Sequence, residues 1–287
     1  MSAELADSAA FCAEQVRAHD FERYASTLFI DAGRRRALLA LYAFHVEISR
    51  VREQVSQPLP GEIRLQWWSD MLAGSGHGGI EGNPVAAELL LAIRTYGLPV
   101  EPLSRLIDAH QFDLYNDPMP SMAALEDYLD ATSCTLYALG ARIMGSGAGD
   151  HLARHAGLAQ GMVHVITALP LDAARRQLFV PVHLLESHGG GMEEIFAGKE
   201  TPRSRAALDQ LIGEAGGHLE SALALLAGVP PEVRPLFLPL ALVRHDLKRM
   251  SRADNNLFAP QARSRLQTLW IVWRASRTPV PQTQRSA

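Results

Sequence analysis

Only two cysteines occur in the 287 residues, Cys12 and Cys134, far apart and in no Cys-x-x-Cys pattern. That is too few for a disulfide framework or a cysteine-based zinc site, so a reducing compartment is expected. An excess of positive charge is also missing. Lys and Arg number 27 against 31 Asp and Glu, giving a net charge of −4 and a pI near 6.3. A dedicated nucleic-acid binder carries a basic bias, so no nucleic-acid partner is expected. No apolar run approaches the roughly eighteen residues a membrane-crossing helix needs. The densest stretch, Leu236–Val243, is interrupted by Pro239. The first residues, Met1-Ser-Ala-Glu-Leu-Ala-Asp-Ser8, lack the basic region of a secretory signal and the arginines of a transit peptide. The expected location is the cytoplasm, with peripheral contact at the inner membrane open.

Several catalytic signatures are absent as well. Neither glycine-rich stretch, Ala73–Gly79 nor His188–Gly191, is followed by the Gly-Lys-Ser/Thr of a phosphate loop. No Gly-x-Ser-x-Gly occurs. His151 and His155 lie four apart on one helix face, but Leu152 stands where a zinc protease needs glutamate, so an exposed pair is the reading. Cys134, between Ser133 and Thr135, reads as packing. Asp108 and Asp113 diverge around a helix too far to act as a ligand pair. The clusters Arg34-Arg35-Arg36 and Arg175-Arg176 read as solvated helix ends.

What the chain does have is helical spacing almost throughout. Hydrophobic residues make up 47% and charged residues 20%, as in ordinary globular proteins. Helices are predicted over Ala3–Arg17, Phe21–Phe29, Arg34–Gln54, Glu62–Ala73, Pro84–Tyr96 and Pro102–Tyr115. Further ones follow over Met122–Gly145, His151–Leu169, Pro202–Ala227, Pro231–Arg252 and Pro260–Ala275. Thr201 ahead of Pro202 supplies a capping hydroxyl before a first-turn proline. Ser121 is a similar start. No period-two strand is evident, and Leu178-Phe-Val180 is too short to show one. The expectation is an all-α single domain over 1–275, followed by a disordered tail over 276–287.

Four blocks, in order, carry a resemblance. They are Leu41-Tyr-Ala-Phe44, Arg64-Leu-Gln-Trp-Trp68, Ile107-Asp-Ala-His-Gln-Phe-Asp-Leu114 and Phe179-Val-Pro181. Together they resemble the squalene/phytoene synthase superfamily over about residues 20–185. The resemblance implies a single helical bundle around a central cavity. Active members of that family join prenyl diphosphates, using Mg²⁺ held by aspartates on two facing helices to neutralise the leaving pyrophosphate.

The aspartates are largely missing here. The first motif aligns with Ser49 and Glu53, and the neighbouring aspartate becomes Arg50. The second aligns with His164, Thr167, Ala168, Leu171 and Asp172, so one acid of three survives. Pro170 within the second segment is expected to disfavour helical geometry at Leu169. Glu47 and Glu53, about 600° apart around a helix, point different ways. The resemblance therefore implies a vestigial pocket: Tyr42, His45, Ser49, Arg50 and Glu53 from the first segment, and Gln160, His164, Ala168 and Asp172 from the second. No catalytic residue, metal ligand or cofactor is assigned.

Further matches narrow the resemblance to the non-catalytic branch that assists assembly of respiratory complex I. They are Asp20-Phe-Glu-x-Tyr24, Ala43-Phe-His-Val-Glu-Ile48, Gln54-Val-Ser56, Ala159-Gln-Gly161, Ala168-Leu-Pro170 and Arg175-Arg176. His45, where that branch typically has asparagine, is a small departure. The implied function is a pseudoenzyme whose partner is a complex I subunit or assembly intermediate. Two alternatives stay open: a Mg²⁺-dependent prenyl-diphosphate transferase, or an isoprenoid- or lipid-binding module in which Arg50, Arg52 and Arg175 hold a phosphate.

Overall fold

A computed structural model describes residues 2–75, 82–146, 150–260 and 263–278. Within them the elements are helices, and no strand occurs. In chain order they are α1 (Ser2–His19), α2 (Phe21–Thr27), α3 (Ala32–Ser49), α4 (Val51–Gln54), α5 (Pro58–Leu72), α6 (Pro84–Tyr96) and α7 (Glu101–Ala109). After a 3₁₀ turn at Phe112–Leu114 come α8 (Met122–Leu129), a π-helical turn at Asp130–Cys134, α9 (Thr135–Ile143) and α10 (Asp150–Ala174). Then follow α11 (Val182–Ser187), α12 (Met192–Phe196), α13 (Pro202–Leu226), a 3₁₀ turn at Arg234–Phe237, α14 (Pro239–Met250) and α15 (Arg265–Arg277).

Polar side chains fix many of the starts by accepting the amide protons a helix leaves unsatisfied in its first turn. The Asp31 carboxylate accepts from Arg34 N at 3.1 Å, and Asn83 Oδ1 accepts from Val85 N and Ala86 N at 3.0 Å. Thr201 and Ser204 cap reciprocally ahead of α13, with Pro202 in its first turn. Ser121 caps α8. Gly97 ends α6 at φ +60°, a left-handed conformation that costs glycine nothing.

The chain forms two compact units, each assembled from separated stretches. The first holds the described residues of Met1–Tyr115, Thr135–Ala148 and Pro230–Leu238. The second holds those of Asn116–Cys134, Gly149–Val229 and Pro239–Ala287.

In the first unit α3 is the core helix. Residues 37–44, together with Val46 and Ile48, are buried on every side of it, as expected of a helix enclosed by others. It packs against α1, α2, α6 and α9. In the second unit α10 plays the same part, packed against α13, α14, α8 and the π-helical turn. Gly157 allows a close approach to backbone: a Cβ there would lie 2.5 Å from Cys134 N and 2.6 Å from its Sγ.

Several boundaries differ from the predicted ones. The segment predicted as one helix over Arg34–Gln54 breaks at Arg50, whose ψ of 2° ends α3 at Ser49. The segment from Met122 to Gly145 is interrupted by the π-helical turn, which carries the chain from the second unit into the first. Pro170 does not end its helix. Α10 continues to Ala174, because burial of Leu169 and Ala173 on either side of the proline holds the last turn despite one lost hydrogen bond. The short helices α11 and α12 carry too few residues to display a period. At the other end, α15 includes Ser276 and Arg277, two residues assigned to the tail; 279–287 lie outside the described residues.

Candidate functional site

In the first unit, the residues that the resemblance assigns to a pocket in the first segment lie along α3 and the break that follows it. Tyr42 is 4% exposed, and the Arg23 guanidinium sits over its ring at 5.7 Å. Burial pushes the Tyr42 hydroxyl above its ordinary titration range, so it is a neutral phenol. Arg23 is held by Asp20 at 2.5 Å. Tyr137, stacked on Phe237 with ring centroids 5.5 Å apart, joins the same buried cluster and is raised in the same direction by burial. Its hydroxyl is buried with no hydrogen-bond partner among the described residues.

One turn further on, His45 meets the His110 ring at 5.7 Å between centroids. His110 Nδ1 lies 2.6 Å from Asp113 Oδ2, with both side chains buried. Asp113 is therefore committed to a neighbour three residues away, while Asp108 is exposed. Ser49 closes α3. Arg50 pairs with Glu53 at 3.1 Å and reaches His19 Nε2 at 2.9 Å. Glu47 instead lines an open groove of about 450 Å³ with Phe11, Trp67 and 82–85. The two glutamates thus serve different surroundings.

In the second unit, Gln160, His164, Ala168 and Asp172 follow one another at intervals of four on α10, forming one stripe along the helix. The stripe runs from the buried Gln160, through the exposed His164, to the half-buried Ala168 and Asp172. Thr167 turns its hydroxyl back to the His164 carbonyl at 2.9 Å. Leu171, which the resemblance aligns with an acid, is 49% exposed. The helix ends where Arg176 takes φ +55°. There its guanidinium is fixed by Glu193 at 2.7 Å and lies over the Phe196 ring at 4.6 Å.

These donors do not fit a Mg²⁺-diphosphate cluster. At the positions that the resemblance aligns with carboxylates, Ser49, Ala168 and Leu171 offer a hydroxyl, a methyl and an isobutyl group, and Glu53 is tied to a cation. Among the described residues, no three His, Cys, Asp or Glu side chains are grouped so that they could hold a metal ion. Nucleophilic chemistry is no better served. Burial pushes both Cys12 and Cys134 up to about 12, leaving thiols rather than thiolates near neutral pH.

Two features were hidden from the sequence. His155 does not pair with His151. It meets His218 of α13, Nδ1 to Nδ1 at 2.9 Å, a partner 63 residues away that no local spacing reveals. The Arg23–Tyr42–Tyr137 cluster was hidden for the same reason, although Asp20 and Arg23 at i, i+3 offered half of it. The arginine clusters are also more engaged than solvated ends. Arg36 forms two 2.7 Å bonds to Glu88, which is 2% exposed.

An all-helical chain, with degenerate acid motifs on the core helix of each unit, defines a prenyl-synthase-like protein without the prenyl synthase's donor set. The chain belongs to the squalene/phytoene synthase family, whose model matches residues 16–270. It is 31% identical to NADH dehydrogenase (ubiquinone) complex I, assembly factor 6, of Rattus norvegicus, over 89% of this chain and 78% of that protein. Among solved structures it is similar to a squalene synthase of Alicyclobacillus acidocaldarius, with TM-score 0.73 and 22% identity over 86% of this chain and 94% of that one. A dehydrosqualene synthase solved with a ligand gives TM-score 0.82 at 12% identity, over 94% and 96% of the two chains. At such identities the structural likeness carries the fold alone.

Proposed function

We propose that this chain is a non-catalytic family member that assists assembly of the respiratory NADH dehydrogenase. The observation that carries the reading is the state of the α3 and α10 motifs. Ser49, Arg50, Ala168 and Leu171 replace the groups that would neutralise a leaving diphosphate, in a chain whose likeness to a complex I assembly factor extends over most of its length. The partner is a subunit or early intermediate of that dehydrogenase, and the working location is the cytoplasmic face of the membrane that houses it. The transferase alternative has no support in the donor set. In the phosphate-holding alternative, Arg50 is already engaged by Glu53 and His19.

The test is affinity purification of the tagged chain from its own host, with proteomics and lipid extraction of the same eluate. Enrichment of dehydrogenase subunits is expected. Enrichment of isoprenoid enzymes, with none of those subunits, counts against the reading.

A further inference from the structure

The last described helix exposes side chains that water alone gives no reason to expose. On α15, Leu266 is 79% exposed, Trp270 55% and Trp273 48%. At about 100° per residue these three and Arg277 fall within about 60° of the helix circumference. The buried residues Thr268 and Val272 lie on the opposite side, toward the rest of the unit. The apolar stripe is therefore a second face, distinct from the one that docks α15 in place. Two of four tryptophans stand on it.

Charge accompanies the stripe. Arg274 lies over the Trp270 ring at 5.4 Å and Arg277 over the Trp273 ring at 5.1 Å. Each cation is thus carried beside an aromatic face, with its head able to reach outward. The adjoining helix α14, joined to α15 by His245 and Gln267 at 3.5 Å, adds the exposed Arg244 and Lys248. Asp246 is the sole acid in the two helices. It is buried and engaged by Arg249 at 3.1 Å and by Arg263. Although the whole chain carries −4, these two helices present cations and no exposed acid.

From this we infer that the Leu266–Trp270–Trp273 face of α15 docks on an anionic phospholipid bilayer. Tryptophan suits the headgroup boundary because its ring is apolar and its indole N–H polar. Arginines beside it would neutralise lipid phosphates while their stems follow the rings inward. The face is about 17 Å long from Leu266 to Arg277, long enough to lie along the surface. No described helix is long and apolar enough to cross a membrane, so the contact is one of lying on the bilayer. An acidic protein surface would meet the arginines equally well. The tryptophan-led stripe favours lipid.

The experiment is sedimentation of the full chain with phosphatidylcholine vesicles, with and without phosphatidylglycerol, combined with tryptophan emission and quenching by brominated lipid. Binding to the anionic vesicles is expected, with a blue shift, lipid quenching and weakening by salt. Trp67 is half-buried and Trp68 buried, so the change belongs to Trp270 and Trp273. Trp270→Ala with Trp273→Ala should lower vesicle affinity about tenfold or more. Arg274→Glu with Arg277→Glu, which leaves the core untouched, should lose a comparable factor. Absence of binding to anionic vesicles, or equal binding by the wild type and the charge-reversed variant, would overturn the inference. So would α15-dependent capture of an acidic protein by a chain that ignores vesicles. Failure here leaves the assembly role standing, since that is read from dehydrogenase subunits rather than from lipid.

Discussion

The His155–His218 contact shows what one residue pair contributes. With Nδ1 atoms 2.9 Å apart, one ring must donate and the other accept, so both cannot be protonated. Partial burial lowers the titration of His155 below 6.5, and the neighbouring His218 lowers it further; burial also lowers His218. A native value below the unfolded one means that the unfolded chain takes up protons first. The stabilisation is therefore complete above about pH 6.5 and is lost as pH falls below it, through the lower native values. The thermal midpoint should drop between neutral pH and pH 5.5, and His218→Gln should flatten that slope; an unchanged slope would contradict the assignment. Charge burial gives a second residue-scale expectation. Arg36→Met strands the buried Glu88, and denaturant titration should show a loss of about 3 kcal/mol. At the acid positions, purified protein should form neither squalene nor phytoene from farnesyl or geranylgeranyl diphosphate with Mg²⁺. Product formation abolished by Glu53→Ala would reverse that expectation. The missing acids could be read directly from the sequence, since an aligned serine or leucine announces its chemistry. The engagement of Arg50 and Arg176 could not, because neither the break after Ser49 nor the left-handed end of α10 leaves a mark in spacing.

Elements carry the family likeness chiefly as packing. In the Arg64-Leu-Gln-Trp-Trp68 block, Leu65 and Trp68 are buried, and Trp68 meets Phe44 of α3 edge-on at 5.2 Å. In the block around Ile107, both Ile107 and Leu114 are buried, and a Cβ on Gly61 would collide with Leu114. The Ala159-Gln-Gly161 match has the same character, because a Cβ on Gly161 would press on Leu129. Gly157 is the sharper case, since it faces backbone that cannot turn aside. Gly157→Ala should cost about 2–3 kcal/mol in chemical denaturation, and Gly161→Ala less, since a leucine tip can move. Similar losses for both would contradict this ranking. Pro170→Ala should raise the thermal midpoint by restoring the hydrogen bond to Ile166 within an intact α10. Helices with strong caps, such as α6 between Asn83 and Gly97, were legible to the residue. The π-helical turn and α11 and α12 were not, since each is shorter than the two turns over which a helical period shows.

At the scale of the molecule, an all-helical fold shared with squalene-forming enzymes coexists with a core-helix chemistry unsuited to their reaction. Two compact units, one centred on α3 and the other on α10, each bury the core helix that organises them, while Ser49, Ala168 and Leu171 stand at positions that the resemblance aligns with acids. The α15 face adds a separate property, a basic and aromatic surface on a chain of net negative charge. The central claim, that the chain acts by assisting dehydrogenase assembly, is tested most directly by native-gel quantification of assembled NADH dehydrogenase in a strain lacking the gene. The strain is complemented with the wild type or with Glu53→Ala combined with Asp172→Ala, and its isoprenoid lipids are measured in parallel. The account predicts a lowered dehydrogenase level, full rescue by both forms and unchanged isoprenoids. A normal dehydrogenase level with altered isoprenoids, or rescue that requires Glu53 and Asp172, would contradict it.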